Sequence, residues 1–367
     1  MAAEIREMEK PILSIVVHTY NRPEYLRDCL ESIADQTSRR YEVIVVCNGS
    51  LQSTYDAVDD FSGRLPTLKV VCLPTNIWSW DDVNVYYRGV HKPGLDASSG
   101  EFVLFLSDDD ALSKEFVEKV LQVFARNPEC VAVTGPGINR DLVTGEESPA
   151  MSAQDARRRP KLEDGKSLAL RFLSLKQTDR QDLRDPGFGY VIWTSLWRDE
   201  GLQEAVWEGF EQEQYRFLLP HGLVGFDSNA TFYWGRHPEQ SNKLLNQRIG
   251  MLRYYAVQER LSKARSMSIW YSRFGTDWAQ RLGKVNSETL FPRSLRFLWQ
   301  DSPYRQLVLS DLMNIVRDPR VIKKFFKTDA REAIFWLLLP RCLCFVFVGI
   351  CRRGCAAVSS GLRLRDK

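Results

Sequence analysis

The sequence predicts an α/β fold in which a mostly parallel β-sheet is flanked by helices. Over about the first 135 residues, apolar runs of strand length alternate with polar turns and with segments of helical spacing. Runs that are apolar at nearly every position are typical of parallel strands buried on both faces. Helices between such strands would cover the two faces of the sheet, so the pattern indicates a large α/β domain.

The predicted elements alternate along the chain. Helices are predicted after the first strand, where apolar residues recur at helical spacing from Tyr25, and over residues 80–90 and 114–126. The segment between the second and third strands reads as a linker containing Pro and Gly. The predicted strands are, in order, residues 12–18, 41–47, 68–73, 102–106 and 130–134, with a returning strand at 188–193.

The fourth strand ends in three adjacent carboxylates, Asp108, Asp109 and Asp110. Three like charges repel one another, so their position at a strand end suggests a shared cation or polar ligand. Mg²⁺ and Mn²⁺ prefer hard oxygen ligands and fill their remaining positions with water and substrate phosphates. The alternative interpretation is an acidic triplet in a solvated loop.

Three polar loops, residues 18–22, 48–50 and 108–110, each follow the carboxyl end of a predicted strand. Because these ends share one edge of a parallel sheet, we expect the loops to converge on a ligand-binding crevice. No GxGxxG or GxxxxGK[ST] motif occurs in them, which argues against a dinucleotide-binding dehydrogenase and a P-loop NTPase.

Three segments carry a more specific resemblance: SIVVHTYNRPEYLRDCLESI, YEVIVVCNGS and SSGEFVLFLSDDDALSKEFVEKV. In this order and spacing they resemble the N-terminal half of family 2 glycosyltransferases of the GT-A fold, of the bacterial surface-polysaccharide type. The likeness covers about residues 11–135. It implies an enzyme that moves a sugar from a nucleotide-sugar donor to an acceptor hydroxyl.

The resemblance implies a role for each strand-end residue. His18, Tyr20 and Arg22 would flank the nucleotide base and diphosphate, and Asn48 takes the place of an aspartate that usually hydrogen-bonds the base. In the acidic cluster, defined as Asp108, Asp109 and Asp110, the first would bind ribose. The second would ligate Mg²⁺ or Mn²⁺, and the third is a second or substitute ligand.

Some positions depart from the family pattern. The pair Cys47-Asn48 replaces the usual Asp-Asp, so an anionic acceptor becomes an amide and the identity of the base is left open. The family segment N-x-G … A-R-N survives as Asn76 and Asn84. Residues 92–97 look like a short insertion.

A later segment, GFEQEQYRFLLPHGLVGFDSNATFYWGRHPEQSN, resembles the part of the family that carries the catalytic base. This implies that Glu213, or its neighbour Glu211, deprotonates the acceptor, and we prefer Glu213. An ordinary helix start is the alternative for these glutamates. His237 would close the site, either as a metal ligand or as a structural histidine. The deprotonated acceptor would then displace the nucleoside diphosphate directly, which inverts the anomeric centre.

The last third of the chain is basic. Residues 243–367 hold 24 of the 50 Lys and Arg residues but 9 of the 47 Asp and Glu residues. We expect a GT-A domain over residues 1–245 and a basic helical C-terminal region over 246–367. Within the latter, residues 334–350 are apolar but are interrupted by Pro340 and Arg341. An interfacial or re-entrant membrane anchor is preferred to a buried helix or a true span.

These features predict where the protein acts. The polar N-terminus and the unpaired spacing of the cysteines indicate a cytoplasmic protein with reduced thiols, peripheral on the inner face of the cell membrane. We expect a saccharide or lipid-linked saccharide acceptor and no nucleic-acid partner. The predicted function is an inverting, metal-dependent glycosyltransferase of cell-surface glycan synthesis. A non-catalytic, membrane-associated nucleotide-sugar-binding or scaffold protein is the alternative. A nucleotidyltransferase is a third option, but the sequence lacks the glycine-rich N-terminal phosphate loop of such enzymes.

Overall fold

A computed structural model of the protein describes residues 12–78, 83–149, 160–174, 189–200, 202 and 217–240. The chain divides into two units, and these residues all belong to the first, which comprises residues 1–245 and 258–289. The predicted C-terminal region, its apolar segment 334–350, and Glu211 and Glu213 lie outside the described residues. In the part of the chain that is described, no helix is both long and apolar enough to cross a membrane.

The strands and helices alternate as predicted over the first half of the chain. The helices are α1 (Pro23–Ala34), α2 (Gln52–Asp59), α3 (Val83–Ala97), α4 (Phe116–Arg126), α5 (Gly165–Ser174) and the short α6 (Thr194–Trp197), with a 3-10 helix at Leu219–His221. The first six strands are β1 (Leu13–Thr19), β2 (Tyr41–Asn48), β3 (Leu68–Leu73), β4 (Phe102–Ser107), β5 (Ala111–Leu112) and β6 (Cys130–Thr134). The others are β7 (Gly137–Asp141), β8 (Glu147–Pro149), β9 (Leu162–Asp164), β10 (Val191–Trp193), β11 (Leu223–Phe226) and β12 (Phe232–Arg236).

The large sheet has the order β3-β2-β1-β4-β10-β6-β11-β9. Strands β3, β2, β1 and β4 are mutually parallel, and β6 pairs in parallel with β11. Strand β10 runs antiparallel between β4 and β6, and β9 is antiparallel to β11. The predicted fold class, a mostly parallel sheet flanked by helices, is therefore confirmed for the described residues.

A smaller sheet has the order β5-β12-β7-β8. Its strand β5 begins directly after the acidic cluster, and β12 pairs antiparallel with it, Tyr233 opposite Ala111. This pairing carries the chain that follows β12, including His237, to the end of β4. A ladder between distant segments thus brings two parts of the candidate site together.

The core lies on both faces of the large sheet. Successive residues of β1 point to opposite faces of the sheet, because side chains alternate along a strand. Val16 belongs to one buried cluster, with apolar residues of α3 and α5, while Ile15 and Val17 belong to the other, with α1, α2 and α4. The sheet is therefore covered by helices on both sides, which explains why its strands are apolar at nearly every position.

Two sequence predictions were wrong in detail. The predicted linker between β2 and β3 contains α2, whose buried residues are Thr54, Ala57 and Val58. The helix predicted over residues 80–90 is α3, which continues through Pro93 to Ala97, so residues 92–97 form its last part. Gly94 permits this course, because a Cβ added there would lie 2.3 Å from Val16 Cγ1 in β1. A helix can pack this closely on the sheet only where a side chain is missing.

Candidate active site

The three predicted loops do converge at the carboxyl edge of the large sheet. In β1, His18 pairs with Ser107 of β4, and Thr19 pairs with Cys47 of β2. The loops after β1 and β2 are joined by a hydrogen bond of 2.7 Å from the Leu51 amide to Asn21 Oδ1. The strand register therefore places the polar residues of separate segments along one edge.

Asp108 is fully buried and is held by the loop that follows β1. Thr19 Oγ1 donates a hydrogen bond of 2.7 Å to its Oδ2, and Arg22 Nη2 lies 2.6 Å from its Oδ1. Burial, together with the charge of Asp109, raises the pKa of Asp108 to about 6, although Arg22 and Thr19 favour the ionised form. The carboxyl is thus costly to ionise in spite of its arginine partner.

Asp109, Arg22 and His237 meet at one point. Asp109 Oδ2 lies 3.0 Å from His237 Nε2 and 3.4 Å from Arg22 Nη1, and Nη1 is 3.2 Å from the same Nε2. The two contacts of Nε2 are incompatible as hydrogen bonds. A protonated Nε2 can donate a hydrogen bond to Asp109 but cannot accept one from Arg22. An unprotonated Nε2 can accept from Arg22, but its lone pair then faces an oxygen of the Asp109 carboxylate.

The electrostatic balance at Asp109 differs from that at Asp108. Burial acts to raise the pKa of Asp109, but the hydrogen bond from His237 and the charge of Arg22 outweigh it and lower the pKa. His237 is 1% exposed, and its ring centroid lies 4.7 Å from that of Tyr25 in α1. Packing therefore fixes the imidazole beside an ionised carboxylate.

Asp110 faces the backbone of its neighbours. Its Oδ1 accepts a hydrogen bond from the Gly235 amide at 3.2 Å, and its Oδ2 accepts one from the Ser107 amide at 3.4 Å. Burial and the charge of Asp109 raise its pKa well above the usual value. Asp110 thereby ties the end of β4 to β12. Within the described residues, no three His, Cys, Asp or Glu side chains are grouped so that they could hold a metal ion.

His18 lies beneath the site. Its Nε2 is 3.1 Å from Ser107 Oγ, and its ring centroid is 4.9 Å from that of His91 in α3. Burial lowers the pKa of His18 to about 4, with the charge of Arg22 acting in the same direction and that of Asp109 against it. The imidazole is therefore neutral at neutral pH and contributes polarity, not charge.

Tyr20 and Asn48 differ in how much surface they offer to a ligand. Tyr20 is 38% exposed, as expected for an aromatic ring that contacts a base, whereas Asn48 is 1% exposed. Asn48 Nδ2 donates to Asn76 Oδ1 at 2.9 Å, and its Oδ1 accepts from the Ile77 amide at 3.0 Å. The amide that replaces the family's aspartate is thus engaged with the loop after β3.

Sequence reasoning missed four residues of this region. Thr19 and Tyr25 contact Asp108 and His237, and Asn21 and Asn76 join the strand-end loops. The turn sequence Thr19-Tyr20-Asn21 did signal polar groups at a strand end, but the partner of each depends on strand register.

Comparison with known protein families assigns part of the chain to one of them. The family described as Glycosyl transferase family 2 matches residues 14–189, a range that extends from β1 past β9 and contains the acidic cluster. Residues 14–189 belong to glycosyl transferase family 2. The resemblance carried by the three N-terminal segments is thereby confirmed.

Curated relatives of this glycosyltransferase domain match a limited part of the chain. The putative glycosyltransferase EpsH of Bacillus subtilis is 30% identical over 115 residues, which is 31% of either protein. The putative teichuronic acid biosynthesis glycosyltransferase TuaG of the same organism is 26% identical, over 34% of this chain and 47% of its own. The chain thus spans less than half the length of these relatives.

Solved structures share the fold of the family 2 domain. Staphylococcus aureus TarS 1-349 in complex with UDP-GlcNAc superposes with a TM-score of 0.59 at 17% identity, over 84% of this chain and 82% of that one. TarS 1-349 without a named ligand gives a TM-score of 0.55 at 19% identity, over 82% and 79% of the two chains. The arrangement of strands and helices is therefore that of a GT-A glycosyltransferase.

Proposed function

We propose that this protein is a divalent-metal-dependent glycosyltransferase of cell-surface glycan synthesis. It would move a sugar from a nucleotide-sugar donor to a saccharide or lipid-linked saccharide acceptor. The observation that carries the proposal is the meeting of Asp109 Oδ2 and His237 Nε2, 3.0 Å apart, at the carboxyl edge of a family 2 domain. The names of the relatives EpsH and TuaG support the activity, and that of TuaG supports a surface polymer as its setting.

The residues present fit a divalent cation. A carboxylate oxygen is a ligand for either Mn²⁺ or Mg²⁺, and the additional imidazole nitrogen favours Mn²⁺; the open positions suit diphosphate oxygens and water. A cation held by Asp109 and His237 would bind a lone pair of Asp109 Oδ2 and the lone pair of His237 Nε2. The incompatible contacts of Nε2 would then be removed. Bound there, it would offset the negative charge that develops on the leaving diphosphate.

The other residues of the site would hold the donor. Arg22 already spans Asp108 and Asp109, and its positive charge lies where the diphosphate would approach. Tyr20 offers an aromatic face to the base. Asp108, which Thr19 and Arg22 hold, would accept hydrogen bonds from ribose hydroxyls. Asp110 would act through the backbone, because its oxygens are directed at amide groups and not at the crevice.

Activation of the acceptor is assigned by resemblance to Glu213 or Glu211. A carboxylate there would remove the proton of the acceptor hydroxyl as the oxygen attacks the anomeric carbon. Direct attack opposite the leaving diphosphate inverts that centre. Peripheral binding of residues 334–350 to a membrane would bring the domain to a lipid-linked acceptor.

The test is a transfer assay on the full chain. UDP-GlcNAc is the first donor to use, because a structure of TarS contains it, followed by other nucleotide-sugars with Mn²⁺ and with EDTA. We expect release of nucleoside diphosphate with Mn²⁺ and its loss with EDTA. Glu213→Gln should lower kcat by roughly 100-fold or more, as expected for removal of a general base. Glu129→Gln, on the exposed turn before β6, is the matched control.

Two outcomes would contradict the proposal in different ways. Binding of nucleotide-sugars without turnover, under every acceptor tried, would favour the non-catalytic binding protein. Turnover that survives EDTA and the loss of the Asp109 carboxylate would exclude the metal-dependent mechanism but keep the transferase.

A further inference from the structure

Two cysteines lie opposite each other on neighbouring strands of the large sheet. Cys47 is near the end of β2, and the parallel register places it directly opposite Cys72 of β3. Neighbouring strands lie about 4.8 Å apart, within the range of about 4.4–6.8 Å between the Cα atoms of a disulfide. Residues paired in this way also share a face of the sheet. The backbone therefore allows a disulfide between these two residues.

The contacts of the side chains agree with the strand register. Cys47 belongs to the buried cluster on the α1 and α2 side of the sheet, and Tyr55 of α2 packs against that cluster. The hydroxyl of Tyr55 hydrogen-bonds Cys72, and partial burial, this bond and the charges of the Cys72 and Cys47 thiolates raise the pKa of Tyr55. Val71 and Leu73, which flank Cys72, pack against the cluster on the other face. Both cysteine side chains thus lie on the α2 side.

The two thiols differ in access and in acidity. Cys47 is 0% exposed, whereas Cys72 is exposed, since β3 is the outermost strand of the described sheet. Burial, followed by the charge of Cys72, raises the pKa of Cys47 to about 12, so this residue is a protonated thiol at neutral pH. The thiolate is the nucleophile in exchange with a disulfide. A reagent in solution therefore reacts with Cys72 first.

The other cysteines of the described residues have different surroundings. Cys29 lies in α1, and its thiol donates to the Ser107 carbonyl at 3.6 Å. Cys130 of β6 lies opposite Leu223 of β11. Both of these thiols are buried. In the strand ladders that the structure describes, the register thus pairs one cysteine with another only in β2 and β3.

We infer that Cys72 is a modification site for low-molecular-weight disulfides and that Cys47 converts the adduct to a cross-strand disulfide. In the first step the Cys72 thiol loses its proton, its sulfur attacks one sulfur of the small disulfide, and one small thiol leaves with that proton. In the second step the Cys47 sulfur displaces the other small thiol from Cys72, and the Cys47 proton leaves with it. The two protein thiols are oxidised, and the small disulfide is reduced to two thiols.

The new bond would join β2 to β3 where both strands enter the loops of the candidate site. The Cβ atoms of a disulfide lie about 3.8 Å apart, so the bond would draw the two strand ends together by about 1 Å. Little room exists for this movement, because a Cβ added to Gly49 would lie 2.2 Å from the Asn76 amide nitrogen. A strained disulfide is readily reduced, which makes the modification reversible.

The experiment treats the full, reduced chain with glutathione disulfide and maps the products by mass spectrometry after thiol blocking and tryptic digestion. Cys47 falls in the tryptic peptide 41–64 and Cys72 in the peptide 70–88, and neither peptide contains a second cysteine. We expect these two peptides to be joined, with the mass of their sum less two hydrogen atoms. Dithiothreitol should separate them again.

Two variants separate the steps, and a third is the control. Cys72→Ser should abolish the joined peptides, whereas Cys47→Ala should leave peptide 70–88 as its glutathione adduct. Cys130→Ser removes a buried cysteine that has no cysteine opposite it, so the joined peptides should still form. If Cys47→Ala does not fold, the wild-type peptide map and the exposed Cys72→Ser decide the question without it.

Two outcomes would overturn this role of the cysteines. One is a lasting glutathione adduct at Cys72 with no joined peptides in the folded wild-type chain. The other is a disulfide between peptides 41–64 and 70–88 that forms only in urea. Neither readout requires donor turnover, so the failure of the proposed function would leave the modification site standing, and the reverse also holds.

Discussion

Buried carboxylates lie at both edges of the large sheet, and their surroundings differ. At the amino edge, Glu42 of β2 is fully buried, and its Oε1 accepts from the Ser14 hydroxyl at 2.6 Å and from the amides of Ser99 and Gly100. Its Oε2 lies 2.8 Å from Lys69 Nζ. At the carboxyl edge, Asp108 and Asp109 share Arg22, and Asp109 also lies beside His237, whose contacts are incompatible.

The comparison teaches that burial of a carboxylate does not by itself mark a functional site. Burial acts to raise the pKa of Glu42, but its ion pair with Lys69 and its hydrogen bonds outweigh this and lower it. At Asp108 and Asp110 burial prevails, and the pKa of each is raised. The donors around Glu42 keep its carboxylate ionised, whereas those around Asp108 and Asp110 do not offset the cost of burying their charge.

The largest expected effect is the loss of activity in Asp109→Asn. Removal of one anionic ligand should lower kcat by roughly 100-fold to 1000-fold. The melting temperature should be retained, because the change also removes repulsion within the acidic cluster. Donor turnover and thermal unfolding check this, with Asp59→Asn at the exposed end of α2 as the control. Turnover within tenfold of the wild type would show that Asp109 holds no cation.

Arg22→Gln should have the next largest effect, on stability. The substitution leaves Asp108 buried without its cation, which costs about 3 kcal/mol when a partner of a buried pair is removed. Mn²⁺ should raise the melting temperature of this variant more than that of the wild type, since the ion replaces part of the lost charge. Equal shifts in both proteins would contradict a shared cation-binding point.

Glu42→Gln, at the amino edge of the large sheet, should lower stability without changing activity. An amide can keep some of the bonds at Oε1 but places a donor against others, so we expect a loss of about 2 kcal/mol in unfolding free energy. Transfer activity per folded molecule should not change. Urea unfolding and the transfer assay measure the two quantities, with Glu129→Gln as control. A selective loss of turnover would mean that the amino edge reaches the active site.

The pH dependence of stability should have opposite signs at the two edges. The pKa of Glu42 is lowered in the folded state, so its contribution is complete above the unfolded value of 4.5 and is lost as the pH falls through the folded value. The pKa of Asp108 is raised from 3.8 to about 6, so its cost to stability grows as the pH rises between these values. Unfolding of wild type, Glu42→Gln and Asp108→Asn across this range measures both trends. Parallel trends would refute the assignment.

The sequence was sufficient to predict six of the eight strands of the large sheet and the meeting of its polar loops, but not β9 and β11. Apolar strands such as β1 and β4 are buried on both faces, and the carboxyl ends of parallel strands share an edge whatever the rest of the chain does. The convergence of the loops that contain Arg22 and Asp109 followed from this rule. His237 required the resemblance, because no local pattern distinguishes a ligand from a structural histidine.

What could not be predicted depends on register and on contacts between distant segments. Pro93 and Gly94 indicate a helix end in isolation, yet α3 continues because Gly94 packs on β1. The backbone bonds of Asp110 and the orientation of Asn48 arise from loops that meet after folding. Short helix α2 was missed because eight residues with few apolar positions carry a weak periodic signal.

The ladder between β5 and β12 has a consequence for how the protein is made. Asp109 and His237 are 128 residues apart, and their proximity depends on a strand that leaves the ribosome long after β1 to β4. A nascent or truncated polypeptide that stops before Phe232 could assemble the first strands of the sheet but would lack β12 and His237. If the proposed cation site is correct, that site would be complete only late in synthesis.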